Sequence, residues 1–255
     1  MKPDFSKTAS DYSRHRQGFP DELFSVLERF GVALDGANAV DLGTGTGTVA
    51  RGMARRGASV TGVDPSINLT EEAKRLDLEW GVSTQYVKSR AEKTTLESGG
   101  YDVVTSGQSW WWFDGAAATQ EVMRILKPGG KLVLCSFDWL PAPGNVVSLT
   151  ESLIEKHNPQ WTMGGGDGMH PRFISDLKSA GFVDIKSDFQ MIDARYTKEA
   201  WRGRVRASAG IGASLTSEQV SAFEAEHRHA LDAYTSDDPI AVPHALYVVV
   251  GTKPK

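Results

Sequence analysis

The chain has 255 residues, 40% of them hydrophobic, with a formal net charge of −4 and a pI near 5.9. That length suffices for one α/β core, which can run past about 200 residues as a single domain, so one domain over residues 1–255 is expected. The acidic balance offers no basic footprint for nucleic acid. The N-terminal stretch lacks the apolar core of a secretory signal, and no run approaches the ~20 apolar residues of a membrane helix, so a cytoplasmic protein with no nucleic-acid or membrane partner is expected.

Helix and strand signals alternate along the chain as a doubly wound sheet demands. Residues 20 to 31 read as a helix opened by Pro20 and Asp21 and stopped by Gly31. Strands are predicted near 38–42, 58–63, 83–88, 101–105 and 131–137, with helices near 47–56, 67–78 and 116–126. The turn Lys127-Pro128-Gly129-Gly130 ends the last of these helices and re-aims the chain into strand five. Beyond it come a helix near 146–157, the flexible run Gly164-Gly165-Gly166-Asp167-Gly168 suited to a lid, a helix near 171–180, strand six at 183–192 and strand seven at Ala245–Gly251. The roughly fifty residues between the last two strands read as helical. The one cysteine, Cys135, lies in an apolar strand, has no partner for an intramolecular disulfide and reads as a small buried hydrophobe.

The most informative segment is Val40-Asp41-Leu42-Gly43-Thr44-Gly45-Thr46-Gly47, a short strand that runs into three alternating glycines and then a helix. Such a junction brings backbone N–H groups close to a bound small molecule. The spacing is G-x-G-x-G, so the G-x-G-x-x-G pattern of dinucleotide enzymes is not met. A second strand ends at Asp64, 21 positions after Gly43, about where a βαβ nucleotide site places the acid that accepts ribose hydroxyls. Pro65 and Ser66 then open the next helix, with Pro favoured at its first position.

Together with GVDPS around Asp64, YDVVTSGQSWWWFD from Tyr101 and RILKPGGKLVL from Arg124, this segment resembles the S-adenosylmethionine-dependent methyltransferases of the Rossmann-like class. The resemblance covers residues 8 to 137 well and is similar to the small-molecule, trans-aconitate methyltransferase-like subgroup. It implies an α/β fold with a doubly wound, mostly parallel seven-stranded sheet, an antiparallel last strand and helical lid insertions. A cofactor core over 38–137, a closing arm over 1–20, and acceptor-side insertions at 138–170 and 196–244 would roof the crevice at the strands' carboxyl ends.

The resemblance also implies residue roles. The Gly43, Gly45 and Gly47 backbone would lie against the methionine and ribose portions of S-adenosylmethionine, with Asp41 beneath the loop and Asp64, followed by Pro65, on the ribose. Where relatives often place an acid near adenine, this chain has Arg90, which cannot accept a hydrogen bond, so Ala91 and Glu92 would serve. Gln108 would face the methionine end or the acceptor. Tyr12 and Arg16 match a Y-x-x-x-R segment that closes over the cofactor, Arg16 forking onto a carboxylate.

Methyl transfer from a sulfonium is an in-line displacement that neutralises charge, so positioning and water exclusion carry much of it and no fixed triad is required. Among Trp110, Trp111 and Trp112, consecutive residues cannot all face one way; Trp110 or Trp111 is expected to line the acceptor site, the others to pack in the core. His157 and His170 flank the glycine run and are candidate bases. Arg202, Arg204 and Arg206 read as a solvated run or a clamp for an acidic acceptor. No histidine pair has a ligand setting, so no metal is expected. The competing readings are a nicotinamide-dependent oxidoreductase, disfavoured by the glycine spacing, and a non-catalytic cofactor-binding relative acting as a partner protein.

Overall fold

The computed structural model describes residues 18–255; Tyr12, Arg16 and the rest of the expected arm up to residue 17 lie outside the described residues. In chain order the described elements are α1 (Asp21–Arg29), β1 (Asn38–Leu42), α2 (Thr48–Ala54), β2 (Ser59–Asp64), α3 (Ile67–Glu79), β3 (Gln85–Lys88) and β4 (Tyr101–Gly107). A 3-10 helix over Trp110–Trp112 precedes α4 (Gly115–Ile125), β5 (Leu126–Trp139), α5 (Val146–His157), α6 (Pro171–Ser179), β6 (Val183–Tyr196), α7 (Lys198–Arg206), α8 (Ser217–Tyr234) and β7 (Ile240–Thr252).

The strands form one seven-stranded sheet in the order β3-β2-β1-β4-β5-β7-β6. Strands β1 to β5 pair in parallel. β7 is antiparallel to β5: Lys253 donates to Gly130 while Leu140 donates to Pro243, so rising numbers in one strand meet falling numbers in the other. The order reverses between β1 and β4, the kind of switch point where doubly wound sheets bind ligands.

Apolar β1, β4, β5 and β7 residues supply Val40, Leu42, Val104, Leu132, Leu134 and Val249 to a core that also holds Val122 and Ile125 of α4 and Phe173 and Leu177 of α6. Spacings of three and four bring each helical pair onto one face.

Three sequence expectations shift. Helix α4 stops at Ile125, and Leu126 is already extended; the Lys127–Gly130 turn is a register break inside β5, where Tyr101 faces Leu126 but Val103 faces Lys131. β6 runs on to Tyr196 and β7 starts at Ile240, so the end of the segment predicted as helical is strand. Ser66, not Pro65, caps α3, accepting from the Leu69 N–H, which places Pro65 one residue before the cap instead of in the first turn.

The described residues gather into two compact units. One holds Gly18–Phe137, His170–Gln190 and Leu246–Lys255; the other holds Asp138–Met169 and Met191–Ala245, most of it from the segments predicted as lid insertions. Among the described residues no helix is long and apolar enough to cross a membrane.

Candidate active site

The first unit places the glycine loop at the carboxyl end of β1, beside the ends of β2 and β4. Gly43 and Gly45 have φ of 66° and 54°, a region that costs an L-residue roughly 1 kcal/mol or more. Each glycine does something different. A Cβ on Gly43 would stand 2.6 Å from Ser109 Cβ and Oγ, and one on Gly47 2.6 Å from the Tyr86 hydroxyl, whereas a Cβ on Gly45 would meet nothing within 4 Å. Gly43 and Gly47 are therefore glycine because protein packs on them. Gly45 alone leaves a bare backbone facing open space.

The loop's amides are largely spent inside the protein. Gly43 and Thr44 N–H groups go to the Val63 carbonyl, Gly47 N–H to the Thr44 carbonyl, and Gly45 N–H to Asp64 Oδ2 at 2.9 Å. What the loop leaves open is the bare backbone at Gly45 more than a row of free donors.

Asp64 is 7% exposed, and its other oxygen, Oδ1, accepts the Ser66 N–H at 2.8 Å. Each carboxylate oxygen has two lone-pair directions, so one on each oxygen remains for a vicinal diol. Burial raises its pKa, while the Ser66 and Gly45 amides pull it back down. Asp41 lies deeper, 2% exposed, with Thr105 Oγ1 donating to it at 2.7 Å. Burial pushes its carboxyl up to about 6 against the opposing pull of the Thr105 hydrogen bond, with a smaller upward push from the Asp64 charge.

At the end of β4, Gln108 is a non-glycine residue with φ of 57°, the kind of strained backbone that clusters at functional sites. Two bonds hold it there: its N–H to the Cys135 carbonyl and its Nε2 to the Phe137 carbonyl at 2.6 Å. Ser109 next to it donates to the Leu42 carbonyl at 3.0 Å, stitching β4 to β1 beneath Gly43. After β3, Ala91 is buried. Glu92 Oε1 accepts the Asp114 N–H at 3.2 Å and Oε2 faces Arg90 Nε at 3.4 Å. Burial acts upward on the Glu92 carboxyl, but hydrogen bonds from its own backbone, Asp114 and Arg90 outweigh it and hold the pKa below the usual range.

The structure thus brings Asp41, Gly43, Gly45, Gly47, Asp64 and Gln108 together around the ends of β1, β2 and β4, and puts Pro65 on the surface. Trp110 has no exposed surface, and its indole donates to Asp176 of α6 at 2.8 Å, so it packs as a core ring. Trp111 is only partly buried, stacks on His170 at 4.9 Å and keeps a buried indole N–H without an acceptor among the described residues. His157 and His170 fall in different units; His157 Nε2 pairs with Glu226 at 2.8 Å, and His170 sits at the start of α6.

In the second unit, Arg202 pairs with Glu199 and Arg206 with Glu224, while the Arg204 guanidinium lies 4.9 Å over the Trp139 ring. Glu151, overlooked in the sequence, is buried there and accepts from Trp139 Nε1 and the Gly165 N–H, which ties the predicted flexible glycine run to α5.

The methyltransferase domain family matches residues 40–134, the span that carries this site. The chain is 31% identical over 193 residues to the ubiquinone biosynthesis O-methyltransferase of Xanthomonas oryzae, an alignment covering 74% of this chain and 77% of that one. Among solved structures it superposes on a chain from Anaeromyxobacter dehalogenans assigned as a type II methyltransferase, with a TM-score of 0.67 at 19% identity over 94% of this chain and 97% of that one. It also superposes on a Haemonchus contortus phosphoethanolamine N-methyltransferase crystallised with S-adenosylhomocysteine, with a TM-score of 0.57 at 21% identity over 98% of this chain and 57% of that one.

The fold and the β1–β4 site define a Rossmann-like methyltransferase. The chain belongs to the S-adenosylmethionine-dependent methyltransferases, and S-adenosylmethionine is its cofactor. The residues fit that group. Asp64 has acceptor capacity left on both oxygens, which would suit a diol, and the open space over Gly45 would let a nucleoside approach bare backbone.

Substitution separates the two glycine roles. Gly43→Ala is expected to lower the melting temperature sharply, because the methyl collides with Ser109. Gly45→Ala costs about 1 kcal/mol of backbone strain yet is expected to lose most cofactor affinity, since the methyl fills the cradle. Thermal melts and calorimetry with S-adenosylhomocysteine on both variants check the contrast.

Proposed function

We propose that the chain transfers the methyl group of S-adenosylmethionine to a small-molecule acceptor by in-line displacement. The observation that carries the reading is the pairing of Asp64 with the open face of Gly45. The net charge of −4 supports a small acceptor over nucleic acid, whose phosphates call for a basic face.

When bound, the cofactor supplies a methyl group on a positively charged sulfur. Asp64 accepts the ribose hydroxyls, and ordering them holds the nucleoside in one place. Asp41, ionised and buried beneath the loop, puts a negative charge under the cationic end of the site. Ala91 and the backbone of Glu92 take the adenine edge, because the Glu92 carboxylate is engaged by Asp114 and Arg90. Gln108, fixed by β5, sets the limit of the site toward the acceptor. Trp111, not Trp110, is the aromatic available to the acceptor side, with an indole N–H still to be satisfied. Placing both reactants in near-attack geometry supplies up to ~7–11 kcal/mol in favourable systems, so His157 or His170 is needed as a base only for an acceptor that must lose a proton.

A screen with methyl-labelled S-adenosylmethionine against pools of phenols, amines, carboxylates and thiols tests the proposal, with release of S-adenosylhomocysteine as the readout. One chemical class is expected to raise that release well above the acceptor-free rate. Tight binding of the cofactor with no class raising the rate would instead support the non-catalytic reading.

A further inference from the structure

We infer that Arg51 is a positioning residue for cofactor binding: through its fork it fixes the peptide between Thr46 and Gly47, and so the shape of the glycine loop. The inference concerns the cofactor side alone and holds whatever the acceptor is.

Arg51 lies at the middle of the seven-residue α2, and it is only 7% exposed. A buried cation calls for a compensating arrangement of partners. Nη1 pairs with Asp77 Oδ1 of α3 at 2.7 Å, and Nη2 donates to the Thr46 carbonyl at 2.8 Å. The second oxygen of Asp77, itself 4% exposed, accepts the Tyr86 hydroxyl of β3 at 2.8 Å. That hydroxyl is the group lying 2.6 Å from where a Gly47 side chain would begin.

The Thr46 carbonyl needs this donor. The first backbone bond of α2 runs from Arg51 N–H to the Gly47 carbonyl, so Thr46 C=O falls outside the helix ladder, and a buried carbonyl without a partner is costly. The same peptide carries Gly47 N–H to the Thr44 carbonyl. A tilt of that peptide therefore moves Thr44 and Gly45, and with them the Gly45 contact to Asp64. α2, α3 and β3 meet on one peptide plane, and the two nitrogens of one guanidinium join them.

Lysine separates structural from positioning duty, because its single nitrogen keeps the ion pair with Asp77 but lacks the planar fork. In the full-length chain Arg51→Lys is expected to retain most of its thermal stability. Its Kd for S-adenosylhomocysteine by calorimetry should rise about tenfold, the loss of roughly one such hydrogen bond. Amide exchange at Gly45, Thr46 and Gly47 in the ligand-free protein should quicken while β1 amides stay protected. Tyr86→Phe leaves the Arg51–Thr46 bond in place and is expected to change the Kd less than about threefold. Wild-type affinity in Arg51→Lys, exchange that quickens throughout the sheet instead of at the loop, or an equal loss in Tyr86→Phe would each overturn the assignment.

Discussion

Replacing Asp64 with asparagine is expected to weaken S-adenosylhomocysteine binding about a hundredfold while the protein stays folded. Both carboxylate oxygens already accept a backbone amide, from Gly45 and Ser66. An asparagine has one oxygen and one NH₂, so one of those amides comes to face a donor, and the loop must turn away from it. On the ligand side, a hydrogen bond to a charged acceptor is worth about 1.5–3 kcal/mol, and the second ribose hydroxyl loses its acceptor outright. About 3 kcal/mol corresponds to roughly a hundredfold in Kd. Stability moves the other way in part, because burial disfavours the ionised Asp64 and the amide carries no charge to desolvate. Calorimetry on Asp64→Asn beside a thermal melt measures both. A Kd within threefold of the wild type would remove Asp64 from the ribose.

That prediction draws on the part of the molecule that was legible in the sequence. β1, the loop, α2 and β2 lie within about thirty consecutive residues, and cofactor chemistry dictates residue types there at short range, so glycines and acid announced the site. The Arg51–Asp77–Tyr86 assembly did not. Its members are 26 and 9 positions apart, and charged residues on amphipathic helices read as solvated until tertiary packing closes over them. Trp110 was illegible for a different reason: three like residues in a row carry no periodicity, so the sequence could say only that they diverge. The start of β7 was hidden by Pro243, which cannot donate to a sheet ladder, yet its carbonyl accepts from Leu140 and the strand tolerates it. Glu92 looked available for adenine because nothing local revealed Asp114 as its partner. The trans-aconitate-type subgroup rests on the sequence resemblance alone.

Asp41→Asn is expected to gain stability relative to the wild type as pH rises from 4.5 to 8 and to weaken cofactor binding, two effects of the same buried charge. In the unfolded chain the Asp41 carboxyl titrates near its ordinary value of about 3.9; in the folded protein, burial pushes it up to about 6. A folded pKa above the unfolded one means that the native state holds a proton the unfolded state has released. Stability from this group is therefore greatest below about pH 4 and is lost as pH rises through 6. The full loss is about 3 kcal/mol, and about 2 kcal/mol of it falls between pH 4.5 and 8. Asparagine does not titrate. Its pH-independent costs, such as a poorer fit to the Thr105 donor, cancel when the variant is compared with the wild type at both pH values. The stability difference is thus expected to move in the variant's favour by roughly 2 kcal/mol from pH 4.5 to 8, read from urea unfolding. Cofactor binding should show the converse. A cationic ligand favours the ionised form, so wild-type affinity climbs as pH passes 6 and then levels, whereas Asp41→Asn binds more weakly with a flat profile. Parallel stability curves for the two proteins across that range would mean that Asp41 does not carry its charge at the expense of the fold.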